Sequence, residues 1–448
     1  YAHFQQREAL IMKTIQYSLA RFLLPVFLSA GAVSPLFADM SNYQNYIVGD
    51  RAAGMGGAVV AGSKDIDSAY YNPAGLARVD GSRISLSASL YGIYRVSVLD
   101  ALGTGQSYRA RAFESIPSAF GSVLKLADNF AVAFSVFTPD QTNYNEQKTY
   151  EMYPTDIPGL FQSDYFSYTI DDDQMWLGPS FGIGLSERLA LGVGIYGVYE
   201  SSLLKQSWNY LFTEGEEVVR VSSRVYNLDY YNYSLLALLG ISYRIGDNLI
   251  AGLRIQTPTV NLGGSGEYLY GVSLGDPDQD ELVHANHMDT ENRLPAALSL
   301  GIAWKKPKNF TLEADLTYHL PTSYDALKGT DHWSGKQVEL RVRREPVVNL
   351  NLGGEYYVHE NYPVRAGFFT NFASAPDPSV DNVTNLNQVD MYGITASVGN
   401  ESEHTSINLG FNYTWGSGKT TGVGDDFETV VVDINESHIF IFMSSAYI

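Results

Sequence analysis

The sequence predicts an all-β fold, a transmembrane antiparallel β-barrel of about fourteen strands with an N-terminal hatch plugging the lumen. Three observations carry the prediction. Apolar and polar residues alternate over many segments of about ten residues, the connections between these segments alternate between short and long, and the apolar faces end in aromatic residues. A soluble antiparallel sandwich shares the alternation of residues. The aromatic ends and the unequal connections favour a barrel in a membrane.

Residues 310–320 show the period of two clearly. Phe310, Leu312 and Leu316 fall on one face of the predicted strand, whereas Thr311 and Glu313 fall on the opposite face. Fourteen such runs are predicted, and an even number places both chain ends on the periplasmic side. The runs begin at Arg83, Arg109, Phe130, Asp164, Arg188, Val218, Leu249, Leu294, Phe310, Pro346, Tyr362, Gln388, Ser406 and Ser437.

The connections fall into two length classes. Short ones, such as residues 246–248 and 359–361, are predicted to be periplasmic turns. The long ones are predicted to be extracellular loops, and they cover residues 100–108, 138–164, 201–218, 259–292, 321–344, 372–387 and 416–436.

Composition narrows the possible functions. The 448 residues carry a formal net charge of −20, which disfavours nucleic acid as a partner because phosphate binding needs a basic surface. The chain has no cysteine, so disulfides and thiolate chemistry are excluded. Its 32 Tyr, 21 Phe and 5 Trp suit a barrel with aromatic girdles at both membrane interfaces.

Residues 1–38 are predicted to be an N-terminal extension and a signal peptide. Met12 is the expected start, an apolar run covers residues 22–28, and cleavage is expected after Ala38. A membrane anchor is disfavoured because the run is short and contains Pro25. The mature chain then divides into a hatch over residues 39–82 and a barrel over residues 83–448.

The predicted hatch is rich in glycine and alanine and has neither strand alternation nor a helical stripe. Small residues allow close backbone approach, and Asn72-Pro73 marks a turn. This composition indicates a compact plug that fits inside the barrel, although an ordinary glycine-rich surface loop would also fit. The residues predicted to shape the hatch are Gly54, Gly56, Gly57, Asn72, Pro73 and Ala74.

The same stretch resembles a known family. The run Gly-Met-Gly-Gly-Ala at residues 54–58, followed by Asn-Pro-Ala-Gly-Leu at 72–76, is similar to the N-terminal hatch of the FadL/OmpP1/TodX family. The resemblance continues at residues 293–297, 312–315 and 365–368. It implies a Gram-negative outer-membrane protein for passive uptake of long-chain fatty acids or similar hydrophobic compounds.

The resemblance also implies a transport route. In family members the outer loops bind the ligand first. The ligand then leaves sideways through an opening that a kink in the third strand makes. In this sequence the corresponding run, residues 130–138, shows no clear kink before Pro139.

Charged residues on the inward face are the most informative candidates. They are expected to hold the hatch against the wall by ion pairs, or to recognise a fatty-acid carboxylate by a bidentate arginine. Arg254 and Arg365 are the candidates for the second role. Apolar inward residues would form a slot for a hydrophobic ligand or pack against the hatch; they are Leu236, Leu238 and Phe369, together with Tyr196, Val198 and Ile250.

Catalytic and metal signals are weak, so no enzyme activity, cofactor or metal is predicted. His284 and His287 lie in an acidic connection that is expected to be solvated. Outer-membrane lipid and lipopolysaccharide are expected partners of the barrel surface. The alternative functions are an aromatic-hydrocarbon channel or general porin, then a lipid-acting barrel enzyme or an adhesin.

Overall fold

The computed structural model describes residues 41–63, 65–101, 105–154, 159–273, 280–307, 309–379, 387–423 and 429–447. The predicted signal peptide and its cleavage after Ala38 lie outside these residues, as do the first two residues of the predicted hatch. A search of the described residues for an apolar helix of membrane-spanning length finds none.

The chain begins with short helices and continues as strands. The helices are α1 (Asp50–Gly54), α2 (Asp67–Tyr71) and a 3-10 helix (Pro73–Arg78). In chain order, strands β1 to β19 span Arg83–Val98, Tyr108–Pro117, Ala119–Ala127, Phe130–Pro154, Leu160–Gly184, Leu189–Glu214, Glu217–Arg244, Leu249–Gln256, Val260–Ser273, Glu281–Thr290, Ala297–Lys306, Phe310–His319, Thr322–Thr330, Gln337–Arg344, Val347–His359, Tyr362–Asn371, Gln388–Glu401, Thr405–Val423 and Thr429–Tyr447.

These nineteen segments form a closed antiparallel barrel of fourteen strands, which confirms the predicted all-β barrel and its strand count. Five barrel strands consist of two consecutive segments: β2 with β3, β8 with β9, β10 with β11, β12 with β13, and β14 with β15. The first and last strands close the barrel, with Ile93 opposite Ile439. Closure removes the two sheet edges that an open sheet would expose.

Proline accounts for where the split strands break. A proline ends β2 or lies in the gap of each of the other four pairs, and it cannot donate a hydrogen bond to the ladder. These residues are Pro117, Pro258, Pro295, Pro321 and Pro346. Four of the five breaks fall in consecutive barrel strands, from β8/β9 to β14/β15.

The structure corrects the prediction of long extracellular loops. Most of residues 138–164, 201–218, 259–292, 321–344 and 416–436 are paired strand rather than loop. Strands β4 to β7 are 25 to 28 residues long, well beyond the 9 to 11 or so that cross a membrane. Continuing the ladder satisfies the backbone hydrogen bonds of these hairpins outside the membrane.

The two faces of the strands are oriented as the alternation predicts. Leu312 is 52% exposed and Leu316 is 45% exposed on the outer face, whereas Glu313 and Asp315 between them are 4% and 2% exposed on the inner face. A barrel in lipid presents its apolar residues outward, and the exposed fractions of these side chains agree with that arrangement.

The described residues form two large apolar clusters in the interior and a small third one of Ala74, Ala77 and Ala190. The mouth cluster lies among the extended hairpins at the extracellular end and includes Phe166, Trp208, Tyr226, Met288 and Leu327. The second, which we call the lower cluster, joins residues of the N-terminal segment such as Val48 and Leu76 to inward residues of the wall such as Leu236, Phe369 and Phe440.

Candidate functional site

The N-terminal segment, residues 41–82, is in contact with widely separated parts of the wall. The 3-10 helix packs against β4, β5, β6 and β7, and α1 packs against β1 and against β16 to β19. Val48, Ala52, Met55 and Leu76 of this segment are completely buried.

Glycines on the wall make room for the Asn72-Pro73-Ala74 turn. Gly182, Gly192 and Gly240 are paired with one another across β5, β6 and β7. A Cβ atom on Gly192 or Gly240 would collide with the turn, so the backbone can approach only because side chains are missing there. The Asn72 amide donates to Ile241 O at 3.0 Å and to Val60 O at 2.8 Å.

The Gly54–Ala58 run makes a second close contact with the wall. Gly56 and Gly57 have φ angles of +62° and +78°, a backbone region that disfavours other residues. Asn351 donates its side-chain amide to Gly56 O at 2.7 Å, and Thr395 donates its hydroxyl to Gly54 O at 3.0 Å. The glycines predicted to shape the hatch therefore lie where the chain turns against the wall.

Two carboxylates of β12 bind four consecutive backbone amides of this segment; we call this pair the carboxylate clamp. Asp315 Oδ2 accepts from Val59 N at 2.7 Å and Val60 N at 2.9 Å. Glu313 Oε1 accepts from Ala61 N at 2.7 Å and Gly62 N at 2.8 Å. Hydrogen bonds to a charged acceptor are stronger than neutral ones, so the clamp is a firm attachment.

Arg365 lies in a charge network that also fixes the segment. Its guanidinium donates to Glu355 at 2.7 Å and to Glu401 at 2.6 Å, and it also binds Asn408. Arg51 of α1 pairs with the same Glu355 at 3.2 Å. Buried ions need such partners, and Arg365 has enough of them to be neutralised by the wall itself.

Asp67 organises the segment internally. Its carboxylate accepts from Asp50 N at 3.0 Å and from Ala52 N at 2.8 Å, at the start of α1. Burial raises the pKa of Asp67 well above its ordinary value, and the nearby Asp65 and Asp50 carboxylates raise it further.

Residues 41–46 cross the lumen as a strap. At one end Asn42 donates to Asn371 O at 2.5 Å and to Val389 O at 3.0 Å. At the other end the Tyr46 hydroxyl lies 2.6 Å from Gln141 O and 2.8 Å from Glu114 Oε2. The strap thus connects β16 and β17 to β2 and β4.

A cavity lies between the strap, α2 and the wall. Its lining combines aromatic and polar side chains: Tyr43, Tyr46, Tyr70, Trp176, Leu294, Arg254, Gln256, His319 and Arg344 are among them. Tyr43 stacks on His319 with ring centroids 4.2 Å apart, and the Arg344 guanidinium lies 5.4 Å from the Tyr43 ring. The carboxylate clamp borders the same cavity through Asp315.

Arg254 is the unusual residue of this cavity. Its side chain donates to Gln256 at 2.7 Å and its guanidinium lies 5.4 Å from the Tyr70 ring. Its Nε is buried with no hydrogen-bond partner, and no carboxylate pairs with it, among the residues that the structure describes. A buried cation without a counter-ion is costly unless a ligand supplies one.

The other candidate ligand residues lie elsewhere. Leu236, Leu238 and Phe369 are fully buried in the lower cluster, packed with residues of the N-terminal segment. The sequence pattern does not identify Arg344 as a cavity residue. Arg344 is the last residue of the predicted loop 321–344, so its inward position follows only once β14 is recognised as a strand.

The third barrel strand, β4, is irregular beside the cavity. Its pairing with β5 shifts register between Phe137 and Asp140, and Pro139 lines the cavity. Its neighbour is broken at Ser118. The irregularity therefore coincides with Pro139, where the residue pattern alone shows no clear kink.

No group of three or more potential metal ligands is found in the described part of the chain. His284 instead pairs with Glu267 at 2.9 Å. The acidic residues Asp276 and Asp278 of the predicted loop lie outside the described residues.

Solved structures resemble this fold at low sequence identity. A FadL homologue of Pseudomonas aeruginosa and the toluene transporter TodX of Pseudomonas putida each superpose with a TM-score of 0.61 at 15% identity, covering 92% of this chain and 99% of theirs. The CymD monoaromatic hydrocarbon channel superposes with a TM-score of 0.56 at 14% identity, covering 89% of this chain and 97% of its own. No curated protein sequence matches the chain.

The family comparison covers most of the sequence. The model of the family described as outer membrane protein transport protein (OMPP1/FadL/TodX) matches residues 40–432. The fold, the outer-membrane location and the resemblance noted from residues 54–58 and 72–76 agree with this match. The chain belongs to the OMPP1/FadL/TodX family of outer-membrane transport proteins.

Proposed function

We propose that this protein carries out passive uptake of amphipathic hydrophobic compounds, long-chain fatty acids first, and that residues 39–82 act as its hatch. The observation that carries the proposal is the cavity, which has aromatic walls and a buried arginine that has no acidic partner among the described residues. Such a site suits a ligand with an apolar body and an anionic head. No energy source is needed for this transport.

Arg254 is the proposed carboxylate-binding residue. A carboxylate would supply the counter-ion and accept from the Nε that has no partner. Arg365 was the other candidate, but Glu355 and Glu401 already neutralise it. We assign Arg365 to holding the hatch.

The proposed route runs from the mouth cluster to the cavity and then past the hatch. The carboxylate clamp and the wall glycines hold the N-terminal segment below the cavity, so cargo leaves only when part of that segment shifts. A ligand drives such a shift only if it binds the two positions of the segment with different affinities. The irregularity of β4 at Pro139 favours a sideways exit beside the cavity.

An aromatic-hydrocarbon channel is the second candidate. TodX is described as a toluene transporter and CymD as a monoaromatic hydrocarbon channel, and both share this fold. Tyr70 and Trp176 would suit an aromatic cargo as well. Arg254 separates the two candidates because a neutral hydrocarbon gives it no counter-ion.

The deciding experiment compares Arg254→Gln with Arg244→Gln, an exposed arginine at the periplasmic end. We expect Arg254→Gln to weaken binding of a long-chain fatty acid roughly 10- to 100-fold, the loss of one charge-assisted contact, and to leave toluene binding unchanged. Arg244→Gln should change neither. Equal fatty-acid affinity in both variants would overturn the proposal.

Mass spectrometry of compounds that co-purify with the detergent-extracted protein identifies the cargo directly. A general porin would instead pass ions steadily across a planar bilayer. A lipid-acting enzyme would show esterase activity that is lost with a lumen serine or histidine, and an adhesin could be deleted without loss of uptake.

A further inference from the structure

We propose that the outer surface of the barrel binds an anionic phospholipid of the periplasmic leaflet, with an acyl chain in a surface groove and the phosphate at Lys306. The groove is lined mainly by Trp304, Leu312, Gly354, Tyr356, Val364 and Ala366. The inference rests on the location of the barrel in the outer membrane and is independent of the proposed cargo.

Small residues form the floor of the groove. Gly354 lies opposite Leu312 on one side and Ala366 on the other, so two adjacent outward positions carry almost no side chain. Larger outward residues rise around them, with Tyr356 paired to Val364 toward the strand end and Leu352 paired to Phe368 toward the membrane centre. The lining is almost entirely apolar, which suits a hydrocarbon chain.

The depth of the groove matches one leaflet. Its residues on β15 extend from Leu352 to Val358, about 20 Å of strand at ~3.3 Å per residue. With the usual strand tilt this is about 15 Å of depth, close to half of the ~25 Å apolar band of such barrels. Trp304 and Phe310, whose rings meet edge to face at 4.8 Å, mark the interfacial end.

A cation lies where the headgroup would be. Lys306 is the last residue of β11, is exposed, and shares the outward face with Ile302 and Trp304. Lysine close to a membrane surface attracts anionic lipid. The chain as a whole carries a net charge of −20, so this cation is not part of a generally basic surface.

Charge also selects the occupant. A second copy of the chain docked on this face by two-fold symmetry would bring its own Lys306 to the same interface. An anionic phospholipid brings the opposite charge, and the short turns beside the groove place it on the periplasmic side.

The test is native mass spectrometry of the full chain in mixed micelles that contain phosphatidylglycerol or phosphatidylcholine. Gly354→Leu fills the groove, and a Cβ there meets only Leu312 Cδ2 at 3.5 Å and Ala366 O at 4.0 Å, so the barrel tolerates it. Ala237→Leu is the matched control, on the outward face of β7.

We expect the wild type and Ala237→Leu to retain phosphatidylglycerol at least fivefold better than Gly354→Leu and Lys306→Gln do. Phosphatidylcholine should be retained poorly by all of them. Heat-modified migration in gels checks that each variant is folded. Equal retention of the two lipids, equal retention by all variants, or a dimer that Gly354→Leu abolishes would each overturn the proposal.

Discussion

Two buried arginines on the inner wall differ in what surrounds them. Arg365 on β16 has Glu355 and Glu401 as ion-pair partners and Asn408 as a further acceptor. Arg254 on β8 has Gln256 and the face of Tyr70, and no carboxylate among the described residues. The difference teaches that an inward arginine can either be neutralised by neighbouring carboxylates or lie without one, and the proposed roles in holding the hatch and binding cargo rest on this contrast.

The largest effect is expected from deleting residues 39–82. If this segment plugs the barrel, its removal opens the lumen. The deletion takes away the strap, the amides that the carboxylate clamp binds, and the partners that the segment gives to the Arg365 network. We predict steady ionic current across a planar bilayer, whereas the full chain should show almost none. Unchanged conductance of a folded deletion variant would argue against the hatch.

The next test targets the two arginines directly. Arg365→Gln leaves Glu401 without its cation and leaves Glu355 with Arg51 as its remaining partner. We expect a loss of about 3–5 kcal/mol in the free energy of unfolding. Arg254→Gln removes an unpaired cation and should cost less than about 1 kcal/mol or stabilise the protein. Urea titrations in detergent micelles measure both. Equal losses would show that the two sites do not differ in the way described.

A smaller effect is expected at the carboxylate clamp. Glu313→Gln and Asp315→Asn keep the shape of the side chains but remove the charge that strengthens the four amide contacts, at about 1 kcal/mol for each weakened bond. The double variant should raise the rate of brief channel openings in single-channel recordings. Glu187→Gln, in an exposed turn, is the control. A double variant that opens no more often than this control would contradict the role of the carboxylate clamp.

The smallest effect is expected where the wall glycines contact the Asn72-Pro73-Ala74 turn. A methyl group on Gly240 collides with Asn72 and Pro73, and overpacking of this kind costs about 1–3 kcal/mol. Gly240→Ala should therefore increase proteolysis within the N-terminal segment. Gly246→Ala adds a methyl group in open space and should change nothing. Equal cleavage of the two variants would show that Gly240 does not hold the Asn72 turn in place.

Much of the barrel was predictable because its physics is local. Lipid outside and a filled lumen inside force a period of two, and that period indicated the fourteen strands, most of their starting residues and the inward position of Glu313. The extended hairpins were not predicted. Their polar and aromatic residues lack a lipid-facing side, so the pattern in residues 138–164 does not separate a paired hairpin from a loop.

The candidate site was predictable only in part. Inward parity pointed to Arg254, but it pointed to Arg365 equally well, because parity fixes the face and not the neighbours. Arg344 and Tyr43 reach the cavity through chain segments separated by some 300 residues. Contacts over such a distance follow from the closed barrel and leave no periodic signal.

The sequence alone determined the barrel, its orientation of apolar residues outward, and the glycine-rich run whose residues resemble a known family. These properties follow from the chemistry of each short segment and its surrounding solvent. The tertiary structure decided which arginine is neutralised, where the cavity lies, and which amides the carboxylate clamp holds. Each of these depends on distances between strands far apart in the chain, which closing the barrel sets.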